Sequence, residues 1–321
     1  MGRIAEVLAV LLVVEAMGAG FDEMRDMLLD HGGRVHANLT IARSRYGGNG
    51  LFCRGTIEAS DVVLQVPSSV ILHPHEAVRL YPQLAWLPLT GAEAIAACLG
   101  MERFHGRSKR ARRTLVRWLL GDDSPRWEAW IDALPRTTVP NAASWSDADV
   151  QLAYELFETA ELPLMRTARA IDPPLELTAA QWRWALSMAL SRSFDGDVIL
   201  PLVDFANHQP IEAGGPNLAA VRTASTLERA IADGRVLFAL SRPCRDEEIF
   251  LDYGQRSALR MEAAFGTAME ASSLGWRLPG NGTDGELCRR RWQQLQHRSA
   301  GFSETLRRVK RLLRRCASNV K

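Results

Sequence analysis

Two stretches patterned like β-strands stand far apart in this chain, with about 110 residues of helical character between them. The first stretch holds the apolar runs Leu51 to Cys53, Val62 to Val66 and Val70 to Leu72. Ser60-Asp61 and Pro67-Ser68-Ser69 punctuate them as turns. The second resumes at Ile199 and continues through Arg235 to Tyr253. From about Glu76 the apolar spacing becomes helical. The predicted class is α+β, a β-rich unit opened in its middle by helices, and no internal repeat is present.

Chemistry-bearing residues gather at two points of the second stretch. In Ile199 to His208 an apolar run stops abruptly and Asp204, Asn207 and His208 follow within five positions. If the segment makes one helical turn, Asn207 and His208 are the i+3 and i+4 neighbours of Asp204. Three polar side chains beside a core must find partners in the protein or on a ligand. Asp204 as a simple helix N-cap is the alternative. The second point is Asp246 to Gly254, where acidic residues make a turn, an apolar strand follows, and Tyr253 ends it beside a glycine. A strand-end tyrosine can place its hydroxyl in a pocket, and Gly254 lets backbone approach closely.

Length and composition bound the rest. The 321 residues make one large or two modest domains, and 47% hydrophobic content suffices for a sizeable core. A net charge of +2 gives no overall pull toward an anionic partner. Five cysteines, widely spaced and without CxxC, argue against a structural zinc cluster. They fit a reducing compartment better than a disulfide scaffold. Ile4 to Val14 is apolar except for Glu6 and resembles a short secretory leader, with a buried N-terminal helix as the alternative. The Asn38 and Asn281 tripeptides match the glycosylation pattern but have meaning only behind a real leader.

Local signals place the helices. Phe21, Met24 and Leu28 share a helical face that Gly32-Gly33 stops. Thr90 and Glu93 form a capping box before Ile95, Cys98 and Leu99. Arg103 to Arg117 is densely basic and reads as a solvated face, since no aromatic platform is interleaved. Trp127, Trp130 and Trp145 read as core aromatics around Leu134-Pro135. Thr178 can cap a helix carrying Trp182, Leu186 and Ala189 and ending at Arg192. Residues 286–321 hold eleven Lys or Arg against two Glu, with Phe302, Leu306, Val309 and Leu313 at helical spacing. That basic amphipathic helix packs on the body or docks to an anionic surface or acidic partner.

Gly48-Asn49-Gly50-Leu51, Leu186 to Phe194, Leu202 to His208 and Glu248 to Gly254, in that order, resemble the SET-domain protein methyltransferases. Within them the chain resembles the RuBisCO large-subunit methyltransferase-like class, whose SET domain is split by a helical insertion. Trp127 to Pro135 and Trp145 match that insertion. The likeness runs from about Phe21 to Gly266. It divides the chain into an apolar leader or N-terminal helix (1–20), an N-terminal SET portion (21–75), a helical insertion (76–185), a C-terminal SET portion (186–267) and a short basic helical tail (268–321).

The resemblance implies S-adenosyl-L-methionine as cofactor and methyl transfer to a side-chain nitrogen of a protein substrate, without a metal. It implies that Gly48, Asn49 and Gly50 line the cofactor and that Asn207 and His208 hold it. It assigns Arg192 to the lining of the site, Tyr253 to the active-site tyrosine, Asp204 to shaping the pocket loop and Phe265 to the pocket wall. Methyl transfer is an in-line displacement, so alignment and oxygen dipoles near the methyl suffice. Lysine is the expected acceptor. Histidine, or a SET-like binding protein without turnover, are the alternatives. Two departures stand out: Thr267 replaces the aromatic usual after Phe265-Gly266, and only about 55 residues follow Gly266. The expected location is intracellular, in cytoplasm, nucleus or plastid.

Overall fold

The structure is a computed structural model and describes residues 20–45, 48–105, 127–139, 141–144, 174–194, 198–209, 214–221 and 232–253. The leader, Trp145, most of the basic stretch after Arg103, Gly254, Phe265 and the basic tail lie outside the described residues. The chain separates into two compact units. One takes in Met1–Arg136 and Ser193–Asp252, the other Thr137–Arg192 and Tyr253–Lys321.

The first unit is built on a mixed sheet. Its strands are β1 (Arg34–Val35), β2 (Leu39–Arg43), β3 (Asn49–Cys53), β5 (Val62–Pro67), β6 (Asn207–His208), β7 (Leu218–Val221), β8 (Arg235–Leu240) and β10 (Glu248–Leu251). Their order is β1-β5-β8-β7-β10-β3-β2, with β6 pairing to β10 off that path. A separate ribbon joins β4 (Thr56–Ile57) to β9 (Cys244–Arg245). β10 is the hub. It runs antiparallel to β3 with Ile249 opposite Leu51, and parallel to β6 and β7. Its four residues Glu-Ile-Phe-Leu are all buried, the expected reading for a strand covered on both faces.

Strand expectations hold with two adjustments. β2 was not anticipated, because Leu-Thr-Ile-Ala-Arg is short and its alternation is incomplete. Val70 is not in a strand: Ser68–Val70 forms a 3-10 turn, and only Leu72 makes a bridge, with Ile199. Helix α1 spans residues 20–30 and buries Phe21, Met24, Met27 and Leu28, as its spacing predicts. Helix α2 (Pro74–Leu80) follows, then α3 (Gly91–Gly100), which carries the expected capping box. The Thr90 amide donates to Glu93 Oε2 at 2.6 Å and the Glu93 amide to Thr90 Oγ1 at 3.4 Å. Such a cap is worth about 1 kcal/mol.

Helix α4 (Glu128–Ala133) is pinned by its tryptophans. Trp127 Nε1 donates to the Val70 carbonyl at 2.9 Å, and Trp130 Nε1 donates to both carboxylate oxygens of Asp204 at 3.1 Å. The two indoles are thus core aromatics with their only donors satisfied. Arg103, the first of the basic stretch, is not a solvated face residue. It donates to the Ile131 carbonyl and to Asp132, at 3.0 and 2.9 Å.

The second unit contains helix α5 (Ala179–Arg192) and the turn Ala142–Ser144. Thr178 and Gln181 exchange hydrogen bonds at 2.8 and 3.3 Å, so Thr178 is the cap the sequence predicts. Asn141 Nδ2 donates to the Ser187 carbonyl at 2.8 Å and Ser187 Oγ accepts from the Val139 amide at 3.2 Å. Trp182, Trp184 and Met188 are buried.

The cysteine expectation is corrected. Cys53 and Cys244 are disulfide-bonded, with their Cα atoms 6.3 Å apart and 191 residues between them in sequence. Strand register brings them together: β3 ends at Cys53 while Cys244 pairs with Ile57 on the ribbon just beyond. Cys98 is buried in α3 and takes no part in that disulfide.

Candidate functional site

The glycine turn and the Asn-His pair meet at the hub strand. Parallel pairing sets Asn207 opposite Phe250 and His208 opposite Leu251. Antiparallel pairing sets Phe52 opposite Glu248. Asn207 therefore lies next to the start of β3, and its Nδ2 donates to Glu248 Oε1 at 2.7 Å and to the Asn49 carbonyl at 3.3 Å. The Ser44 hydroxyl donates to Glu248 Oε2 at 3.0 Å, and its amide closes the glycine turn on the Gly48 carbonyl at 3.1 Å.

Gly48 and Gly50 do different things. Gly48 has φ +69°, and no described atom lies within 4 Å of where a Cβ would stand. A left-handed conformation and open space beside it are what close approach of a ligand requires. At Gly50 that position is already occupied: a Cβ would press on Glu248 Oε1 and sit 3.0 Å from Asn207 Nδ2. The absent side chain at Gly50 makes room for the Asn207–Glu248 contact.

Asp204 is corrected in its surroundings. The segment does not form one helical turn through His208. A 3-10 turn covers Val203–Phe205, and Asn207-His208 is already strand. Asp204 accepts from Trp130 Nε1, and it is not the N-cap, a position that Leu202 holds. Leu202 is fully buried at φ +72°, an uncommon conformation for a leucine that surrounding packing must hold in place.

His208 Nδ1 lies 3.2 Å from the Leu251 carbonyl and 3.9 Å from Asp252. Burial pushes its pKa below the ordinary value, against the opposing pull of the Leu251 carbonyl and Asp252. Its imidazole is thus held toward the neutral form. Arg192 is the last residue of α5, and Tyr253 follows β10 by two residues; both belong to the second unit. The structure thus joins Asn49, Gly50 and Asn207 directly and Gly48 through Ser44, whereas Asp204 is engaged elsewhere.

Two residues of the site escaped sequence reading. The sequence pattern groups Glu248 with Asp246 and Glu247 in an acidic turn. Asp246 does make the turn, accepting from the Gly55 amide at 2.6 Å, but Glu248 is 7% exposed and opens a buried strand. An acidic residue leading a wholly apolar run was the available signal. Ser44 offered none.

The site is thus a sheet centred on a short buried strand, with an Asn-His strand on one flank and a glycine turn on another. The chain matches no protein family and no curated protein by sequence. Solved structures do match it in three dimensions. The SET domain of LSMT bound to lysine and AdoHcy is 16% identical with a TM-score of 0.50, over 77% of this chain and 57% of that one. Rubisco LSMT bound to AdoMet is 17% identical with a TM-score of 0.52, over 77% and 56%. The LSMT SET domain bound to MeLysine and AdoHcy is 18% identical with a TM-score of 0.50, over the same shares. This chain therefore has the α+β fold of the LSMT SET domain and spans a little more than half the length of those chains.

Proposed function

We propose that this protein is an S-adenosyl-L-methionine-dependent protein-lysine N-methyltransferase. The observation that carries the reading is Asn207, anchored to Glu248 and to the Asn49 carbonyl, beside the open position at Gly48. Solved structures of the same fold hold AdoMet or AdoHcy, and two of them hold lysine or methyllysine. That supports the cofactor and the acceptor class for this chain.

The residues present fit the cofactor. Gly48, Asn49 and Gly50 would supply backbone groups, and Asn207 and His208 an amide fixed on the Asn49 carbonyl and strand backbone paired to β10. The bound group would supply a methyl carbon activated by a sulfonium. By the resemblance, Tyr253 would supply an oxygen dipole for methyl transfer, with Arg192 and Phe265 as further site residues; Phe265 lies outside the described residues. Asp204 shapes the turn leading into the pair through Trp130. These residues bind and align. The lysine acceptor must arrive without its proton, which an apolar channel favours by penalising the charged form. The acceptor resides on a protein whose identity nothing in the site specifies.

Calorimetric titration with S-adenosylmethionine and S-adenosylhomocysteine tests the reading. Affinity on the order of micromolar is expected for wild type, with Asn207→Ala at least about tenfold weaker. Tyr253→Phe is expected to slow labelled methyl transfer to extract proteins about a hundredfold while leaving cofactor affinity nearly intact. A folded sample that binds neither ligand overturns the reading in favour of a SET-like binding protein. Label recovered on histidine instead of lysine overturns the acceptor alone.

A further inference from the structure

We propose that Glu248 is a positioning residue: it fixes which end of the Asn207 amide is offered to a ligand, so that the ligand group received there is a hydrogen-bond donor. The two ends of an asparagine amide are chemically opposite, one a double donor and the other an acceptor. Which end points where is decided by the surrounding partners. Here both inward partners are acceptors, the Glu248 carboxyl oxygen at 2.7 Å and the Asn49 carbonyl at 3.3 Å. Only Nδ2 satisfies both, so the amide cannot reverse without losing two hydrogen bonds. Oδ1 is left with no donor among the described residues, at a side chain that stays partly exposed.

Glu248 is itself held. Its other oxygen takes the Ser44 hydroxyl at 3.0 Å, and the missing Cβ of Gly50 gives its first oxygen the room it occupies. Its backbone is locked in β10 opposite Phe52. The turn that bears Gly48, the strand that bears Asn207 and the hub strand are thereby tied by one carboxyl group. A buried carboxyl that sets the polarity of a neighbouring amide acts through that neighbour.

The proposal rests on the methyltransferase reading for the nature of the ligand. S-adenosylmethionine and S-adenosylhomocysteine carry two groups that donate without accepting, the α-ammonium and the adenine 6-amino group; the ribose hydroxyls do both and would not sense which amide end faces them. Calorimetry on the full chain with three probes separates them: S-adenosylhomocysteine, its analogue lacking the α-amino group, and S-inosylhomocysteine, in which a carbonyl replaces the 6-amino group. Wild type is expected to bind one analogue about tenfold or more weakly than S-adenosylhomocysteine, which identifies the donor. Glu248→Leu is expected to reduce that discrimination, because only the long contact to the Asn49 carbonyl then opposes reversal of Asn207. Glu248→Gln is expected to keep it, since its oxygen can accept from Asn207 while its nitrogen donates to Ser44 Oγ. A merely structural role would weaken all three probes alike.

Ser44→Ala, which loosens the carboxyl without touching Asn207, carries the same comparison if the leucine variant does not fold. Reduced discrimination supports the proposal, and unchanged discrimination in a folded variant overturns it. Wild type that binds S-adenosylhomocysteine but distinguishes neither analogue overturns this proposal and leaves the methyltransferase reading standing. Wild type that binds none of the probes removes that reading, and this inference with it.

Discussion

His208 shows what one buried side chain can do to a pH profile. Its folded pKa lies below the ordinary value near 6.5, because burial penalises the imidazolium more than the Leu251 carbonyl and Asp252 favour it. The unfolded chain takes up a proton near the ordinary value, and the folded chain does so only at lower pH. Stability is therefore complete above about 6.5 and falls as pH drops below it toward the folded value. Thermal unfolding of wild type and His208→Gln between pH 7.5 and 5 should show a steeper acid decline in wild type. Parallel declines would mean that the imidazole titrates alike in both states.

At the scale of elements, α4 and the turn ahead of β6 are coupled through one pair of side chains. Trp130 gives its indole N–H to Asp204, which sits one residue into a turn that begins from the left-handed Leu202. Trp130→Phe keeps most of the ring packing and removes the donor. A cost of about 2 kcal/mol is expected from the lost hydrogen bond to a carboxylate. In a double-mutant cycle with Asp204→Asn, coupling of about 1 kcal/mol or more is the expected result. Additive effects in denaturant unfolding would show that the contact contributes nothing to the turn.

The same elements separate what the sequence could reveal from what it hid. Thr90 and Thr178 announce their helices because capping is settled within three residues. The face of α1 was readable for the same reason. The Asn207–Glu248 bond spans 41 residues and the Ser44–Glu248 bond 204, so neither leaves a local pattern. Asp204 was misplaced because an i, i+3, i+4 spacing looks like a helix until strand pairing claims its second half. The motifs naming Asn207, His208 and the glycine turn were legible as a set. The carboxyl that joins them emerged only once β10 was seen to be buried.

For the molecule as a whole, the Cys53–Cys244 bond ties the end of β3 to the ribbon strand β9, just ahead of the hub strand. Removing such a link costs about 2–5 kcal/mol. That is a large share of the roughly 5–15 kcal/mol that holds a typical domain together. The double variant Cys53→Ala, Cys244→Ala should melt well below wild type in non-reducing buffer, and reductant should lower wild type toward it. Equal melting temperatures for wild type and the double variant would show that the sheet holds its register without the bond.

The strand order also has a consequence for the chain while it is being made. β1 to β5 leave the ribosome first, yet β5 finds its second neighbour only in β8, and β3 finds its own only in β10. Until residues near 235–251 have been synthesised, both strands present open edges, and such edges invite pairing with the wrong chain. Nascent protein of this kind therefore needs shelter from the time β5 is made until β8 and β10 follow it, about 170 to 180 residues later.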